Sequence, residues 1–111
     1  MYDMPAEIDV RADGPLRIIT LNRPDALNAV NDELHTGLAK LWPRLEEDEG
    51  ARAAVLTGSG RAFSAGGDFA YLDELRRDEK LRAKTIAHGR DIVLGMARCR
   101  TPVIAAVNGP A

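Results

Sequence analysis

The chain of 111 residues lacks most of the features that would announce a function through composition alone. It has one cysteine, Cys99, so no disulfide can close within it. That fits a reducing compartment, and the cytoplasm is the expected location. It has no excess of either charge. Fifteen basic residues face 17 acidic ones, for a net charge of -2. Such a balance gives no electrostatic case for nucleic acid or an anionic membrane as partner. No apolar run approaches the length needed to cross a bilayer. The opening segment Met1–Pro5 carries an acid and no apolar stretch, so no signal peptide is expected. There is no linker, repeat or low-complexity tract. His35 and His88 stand far apart without ligand-spaced companions, so both read as surface or core-edge residues and no metal site is expected.

What is present suits one small domain, with 45% hydrophobic residues available for a core. Glu7 to Arg11 alternates like a half-buried strand with Ile8 and Val10 on one side, Asp13-Gly14-Pro15 turns the chain, and Leu16 to Leu21 pairs back antiparallel. Arg23-Pro24-Asp25 ends that strand, and Ala26 to Val30 reads as a loop. Asn31 is placed to cap a helix, with Asp32 and Glu33 at its positive end. Leu34, Leu38, Leu41 and Leu45 recur at helical spacing, with Trp42 alongside. Pro43 inside this pattern costs about 3 kcal/mol in a regular helix, so a kink or an early end is expected there. Ala53 to Thr57 reads as a buried strand. Helical material follows from Tyr71, and the polar stretch Arg76 to Lys84 reads as an exposed helix, a break between two helices or a mobile segment. Val103 to Val107 is a fully apolar strand of the kind normally covered on both faces. Little sequence follows it to do the covering, so part of the functional unit is expected to be missing. The order is strand, strand, helix, strand, helix, strand: an α/β pattern.

The most informative stretch is Gly60-Arg-Ala-Phe-Ser-Ala-Gly-Gly-Asp-Phe69. It joins a strand to a helix through small residues, a geometry that aims backbone N–H groups at a negatively charged oxygen. Two phosphate loops are excluded. The P-loop pattern places Ala65 and Gly66 where Gly-Lys should stand, and no lysine follows. The dinucleotide fingerprint begins with Gly58 and Gly60 but meets Phe63 at its third site, which would block close helix–strand packing. A plain turn would not need Ser64 and Ala65 to be small as well.

The chain resembles the enoyl-CoA hydratase/isomerase family, the crotonases, in four segments in the right order. Leu21 to Ala29 is similar to the first coenzyme A segment. Ala53 to Gly58 is similar to the strand after the first long helix. Gly60 to Phe69 is similar to the loop of the first oxyanion-hole donor, and Pro102 to Gly109 to the strand entering the second. The resemblance implies a crotonase-like spiral of ββα units, truncated, with residues 1–111 as its N-terminal part. It implies acyl-CoA thioester chemistry, foremost hydration of a 2-enoyl-CoA, with isomerisation, dehalogenation, decarboxylation or hydrolysis as family alternatives. A non-catalytic acyl-CoA-binding or interaction fragment is the rival from another class. The catalytic group it implies is the N–H of Gly67. Asp25, Ala26, Leu27, Ala65, Gly66, Gly67, Asp68, Phe69 and Leu72 would contact substrate. No cofactor would be held permanently, since coenzyme A arrives as part of the substrate. Relatives assemble as trimers or hexamers, and a separate chain carrying the remaining half is a further implied partner.

Departures from the family pattern matter. The second donor and the acid–base carboxylates lie further on in relatives than Ala111. Asp25 stands where many relatives carry a basic residue, and Ala70 where many carry a longer side chain. Asp68 reads more readily as a helix cap than as a substrate contact. Arg98 and Arg100 would lower the pKa of Cys99, but a packed structural thiol is the favoured reading.

Overall fold

The computed structural model describes residues 2–111, so Met1 of the opening segment lies outside the described residues. The first hairpin pairs β1 (Ile8–Asp13) with β2 (Leu16–Leu21) antiparallel. β1 thus starts and ends slightly later than its alternation suggests. The chain then crosses through α1 (Asp32–Glu47) to β3 (Ala53–Gly58), which lies parallel to β2. Two further helices, α2 (Phe69–Arg77) and α3 (Glu79–Arg98), carry it to β4 (Val103–Ala105), parallel to β3. The sheet order is β1-β2-β3-β4.

Period-two alternation decides which face is dry. In β2, Arg17, Ile19 and Leu21 are buried while their neighbours are half-buried. Register places Ile8 opposite Leu21 and Ala54 beside Arg17, so the buried residues of three strands share one face. Onto it α1 lays Leu34, Leu41, Trp42 and Leu45, all within one buried cluster. Each such side chain contributes about 1.5–3 kcal/mol on leaving water. The Asn31 side chain caps α1 by accepting the Leu34 N–H at 3.0 Å, worth about 1 kcal/mol. The early end expected at Pro43 does not occur. The helix runs on to Glu47 because Trp42 and Leu45, on either side of the proline, are both anchored in the core.

One charge stands on the core face. Arg17 donates from Nε to Asp48 at 2.6 Å, and the Tyr2 hydroxyl donates to the same carboxylate oxygen at 2.6 Å. The Gly50 N–H reaches the other oxygen at 3.1 Å. The hydrogen bond from Arg17, then that from Tyr2, hold the Asp48 carboxyl down at about 2. Burial, then the bond to Asp48, pushes the Tyr2 hydroxyl up to about 12. The cluster ties the N-terminal segment to β2 and to the end of α1.

Of the three readings left open for Arg76 to Lys84, two are observed together: a break at Asp78, between helical turns that are almost wholly exposed. Asp78 closes α2 by donating its N–H to the Glu74 carbonyl, and opens α3 by accepting the Leu81 N–H on its side chain at 3.0 Å. β4 is shorter than the apolar run and is not covered: Ile104 is 57% exposed on the edge strand, and Val107 is exposed beyond it. Cys99 terminates α3, and burial raises its pKa above the usual thiol range rather than lowering it. The histidines, distant in sequence, meet between α1 and α3 with ring centroids 6.4 Å apart. Burial, then the His88 charge, lowers the pKa of His35. Among the described residues no helix is long and apolar enough to cross a membrane.

Candidate functional site

The segment after β2 is not a plain loop. Pro24–Ala26 forms one turn of 3-10 helix, and Leu27 and Asn28 then take left-handed backbone conformations, with φ of 53° and 55°. Asparagine tolerates this region and leucine does not, at a cost of roughly 1–2 kcal/mol. What holds the strained pair is the Asn28 side chain, which is fully buried. Its Oδ1 accepts the Arg23 N–H at 2.8 Å, and its Nδ2 donates to the carbonyls of Ser59 and Ala62, both at 2.9 Å.

The Gly-rich loop is sewn to this turn residue by residue. The Ala65 N–H donates to the Leu27 carbonyl at 2.9 Å, and the Ser64 hydroxyl to the Asn28 carbonyl at 2.9 Å. The Val30 N–H donates to the Gly66 carbonyl at 2.7 Å, and the Asp68 N–H to the Val30 carbonyl at 2.9 Å. Those last two bonds flank Gly67 as a short parallel bridge. Gly66 turns the chain with φ of +95°, a conformation other residues rarely adopt. Its N–H is taken by the Ser64 hydroxyl at 3.3 Å. Of the N–H groups from Ala65 to Asp68, only that of Gly67 has no partner among the described residues.

Gly67 lines an open, largely apolar cleft of about 420 Å³ together with Ala26, Leu27, Ala65, Asp68 and Phe69. Six of the nine residues expected to contact substrate are therefore brought together. Of the other three, Gly66 makes the turn, and Leu72 lies beneath Gly67, where an added Cβ would meet its side chain at 3.3 Å. Asp25 stands exposed in the 3-10 turn just before the cleft wall. Phe69, 89% exposed, offers an apolar rim. Ala29 and Ala70 complete the lining. Both positions carry only a methyl side chain.

Asp68 is a cap, as the local sequence favours. Its carboxylate accepts the Tyr71 N–H at 3.1 Å and, on the other oxygen, Arg23 at 3.2 Å. The Tyr71 bond is the main reason its pKa is lowered. Arg23 also donates to the Ala29 carbonyl, so one guanidinium joins the two walls of the cleft. Arg23 and Asn28 were legible only as letters of a motif. Nothing in composition or periodicity says that their side chains point inward.

Fold and loop together define an α/β protein with an unspent backbone donor at a strand-to-helix junction, beside an apolar cleft. Residues 12–111 match the enoyl-CoA hydratase/isomerase family model. The chain belongs to that family and has the crotonase fold. It superposes on an enoyl-CoA hydratase/isomerase from Mycobacterium paratuberculosis with a TM-score of 0.98 at 77% identity, over 99% of this chain and 44% of that one. It is 41% identical to the mevalonyl-coenzyme A hydratase of Beauveria bassiana, over 83% of this chain and 35% of the relative. It is 39% identical to the 1,2-epoxyphenylacetyl-CoA isomerase of Escherichia coli, over 84% of this chain and 36% of the relative. The chain thus spans between about a third and less than half of the length of these proteins.

Proposed function

We propose that these residues form the N-terminal part of an acyl-CoA enzyme that hydrates a 2-enoyl-CoA. The observation that carries this reading is the unpartnered Gly67 N–H on the wall of the cleft. Adding water across the enoyl double bond places hydroxyl on C3 and a proton on C2. Between those events, electron density moves onto the thioester oxygen to give an enolate. A fixed N–H beside that oxygen is most useful when the charge is largest, and losing one such donor costs about 3–4 kcal/mol. The N-terminus of α2 adds its positive end nearby. The 3-10 turn from Asp25 to Leu27 offers backbone groups to the adenine end of coenzyme A.

The acid and base of the reaction come from elsewhere. Asp68 is the one titratable residue among those lining the cleft, and both its oxygens are engaged. Carboxylates beyond Ala111 would choose between hydration and isomerisation, a choice left open by relatives named for both. The reading further takes the protein to work in the cytoplasm, on its cysteine usage, and as a trimer or hexamer, on the family resemblance alone.

The test is turnover of crotonyl-CoA by the protein expressed from its complete reading frame, in oxygen-labelled water. Hydration yields labelled 3-hydroxyacyl-CoA. Isomerisation leaves the mass unchanged, and hydrolysis frees the coenzyme A thiol. Binding without any turnover would overturn the catalytic reading in favour of a non-catalytic acyl-CoA-binding protein. The 111-residue chain by itself is expected to turn over little substrate.

A further inference from the structure

The donor loop is fixed on its far side by a second asparagine, at the opposite end of the chain. Asn108 follows β4, in an Asn-Gly pair that reads from sequence as a simple turn. Its Oδ1 accepts the Gly58 N–H at 3.1 Å and lies 3.3 Å from the Thr57 hydroxyl, whose nearer acceptor is the Ala106 carbonyl at 2.9 Å. Its Nδ2 donates to the carbonyls of Gly60 at 3.0 Å and Ala62 at 3.1 Å. The Ala62 carbonyl is the one that Asn28 also reaches, so two amides converge on a single oxygen. The following residues lie flat on the loop. Pro110 accepts the N–H groups of Phe63 and Ser64, and an added Cβ on Gly109 would strike the Arg61 carbonyl at 1.9 Å.

From this convergence we infer that Asn108 is a positioning residue for the Gly67 donor. It locks the loop that carries Gly67 to the segment leaving β4, with Asn28 as the matching brace from the coenzyme A side. The inference rests on the acyl-CoA reading above. A carbonyl accepts two hydrogen bonds comfortably, and each amide here spends its donors on the loop backbone rather than on solvent. One N–H at the end of β3 and two loop carbonyls thus have their places set by one side chain, five residues or more before Gly67. Reacting groups displaced by about 1 Å lose on the order of 100-fold in rate. A brace of this kind should therefore appear in kcat more than in substrate binding.

The test uses Asn108→Asp, nearly the same shape, in the protein expressed from its complete reading frame. Aspartate keeps the acceptor for Gly58 but turns an oxygen toward the Gly60 and Ala62 carbonyls. The expected result is a loss of roughly 10–100-fold in kcat with KM changed less than about threefold. The carbonyl stretch of bound enoyl-CoA, shifted by the oxyanion donors in the parent protein, should move back toward its solution frequency. A purely structural role would lower the melting temperature and leave both readouts alone, and that result overturns the inference. If Asn108→Asp does not fold, Asn108→Ser is read in the same way, since its hydroxyl is too short to reach both carbonyls. Arg100→Ala, which removes an exposed pair with Glu46, should leave kcat unchanged. A parent protein with no turnover and no carbonyl shift overturns the acyl-CoA reading, and the inference with it. A parent that is active beside an Asn108→Asp variant of equal kcat and equal carbonyl shift overturns the inference alone.

Discussion

The two halves of the chain are built on different terms. The stretch up to Ala62 supplies eleven of the twelve buried hydrophobic residues that form the core, nine of them from the hairpin, α1 and β3. Beyond Ala62 only Tyr71 joins them, and α3 buries no residue although it spans 20. The first half closes a core around itself. The second half lies against it and leaves Phe69, Ile86, Val93 and Ile104 largely exposed. The cleft sits at the seam, where the self-sufficient half holds the backbone of the other in place. A rigid wall on one side and an open apolar surface on the other is a reasonable arrangement for a site that must fix one donor and admit a long substrate.

The sharpest test of that contrast is in the core. Trp42→Ala should cost about 3–5 kcal/mol in urea unfolding, because the indole is almost wholly buried against α3 and the sheet. Trp42→Phe should cost far less, since the indole N–H has no hydrogen-bond partner to lose among the described residues. Equal losses from the two variants would mean that the N–H is satisfied after all. At the seam, Gly67→Pro removes the donor and should lower kcat by about 100–1000-fold. Gly67→Ala keeps the N–H, and its Cβ would meet Leu72 at 3.3 Å, so it should lose much less. Turnover of both variants on crotonyl-CoA checks the pair, and an active proline variant would remove Gly67 from the mechanism.

What could be read from the sequence divides along the same seam. The leucine spacing of α1 and the strand reading of Leu16 to Leu21 located most of the core, because burial imposes a period on a helix and favours branched apolar residues in a strand. The Asn31 and Asp68 caps were legible because a cap is a local bond between a side chain and the N–H three residues on. The motif named six residues that line one cleft. Of the kink or early end expected at Pro43, the early end does not occur, because tertiary packing outweighs one lost helical bond. The full extent of β4 failed because apolar composition reports a wish for cover, not the presence of it. The braces Arg23, Asn28 and Asn108 were invisible in their roles. Asn28 and Asn108 reach the Ala62 carbonyl, and Arg23 the Asp68 carboxylate, from more than 30 residues away in sequence, and such contacts leave no period behind.

A smaller effect separates the halves by pH. Asp48, in the first half, has its pKa lowered from 3.8 to about 2. The unfolded chain therefore binds the proton more readily than the folded one. The stabilisation is complete above about pH 4 and is lost as pH falls toward 2. Tyr2 works at the other limit: its pKa rises from 10.0 to about 12, so its contribution holds below 10 and fades as pH climbs through that window. Urea midpoints measured from pH 2 to 5 should rise with pH in the parent protein and flatten in Asp48→Asn. An unchanged slope would assign the acid sensitivity instead to the other carboxyls held low, Glu46 beside Arg100 and Asp68 at the cap of α2.

The smallest expected effect is the one most able to undo the comparison. Ile86 and Val93 are 70% and 67% exposed on α3. Replacing either with serine in this 111-residue chain removes little buried area, so the change in unfolding free energy should stay within about 0.5 kcal/mol. The same substitutions in the protein from the complete reading frame need not be so mild. A loss there of about 2 kcal/mol, the size expected for a fully buried side chain, would mean that α3 meets an apolar surface this chain does not itself supply. The second half would then have a core after all, divided between what is described here and what covers it.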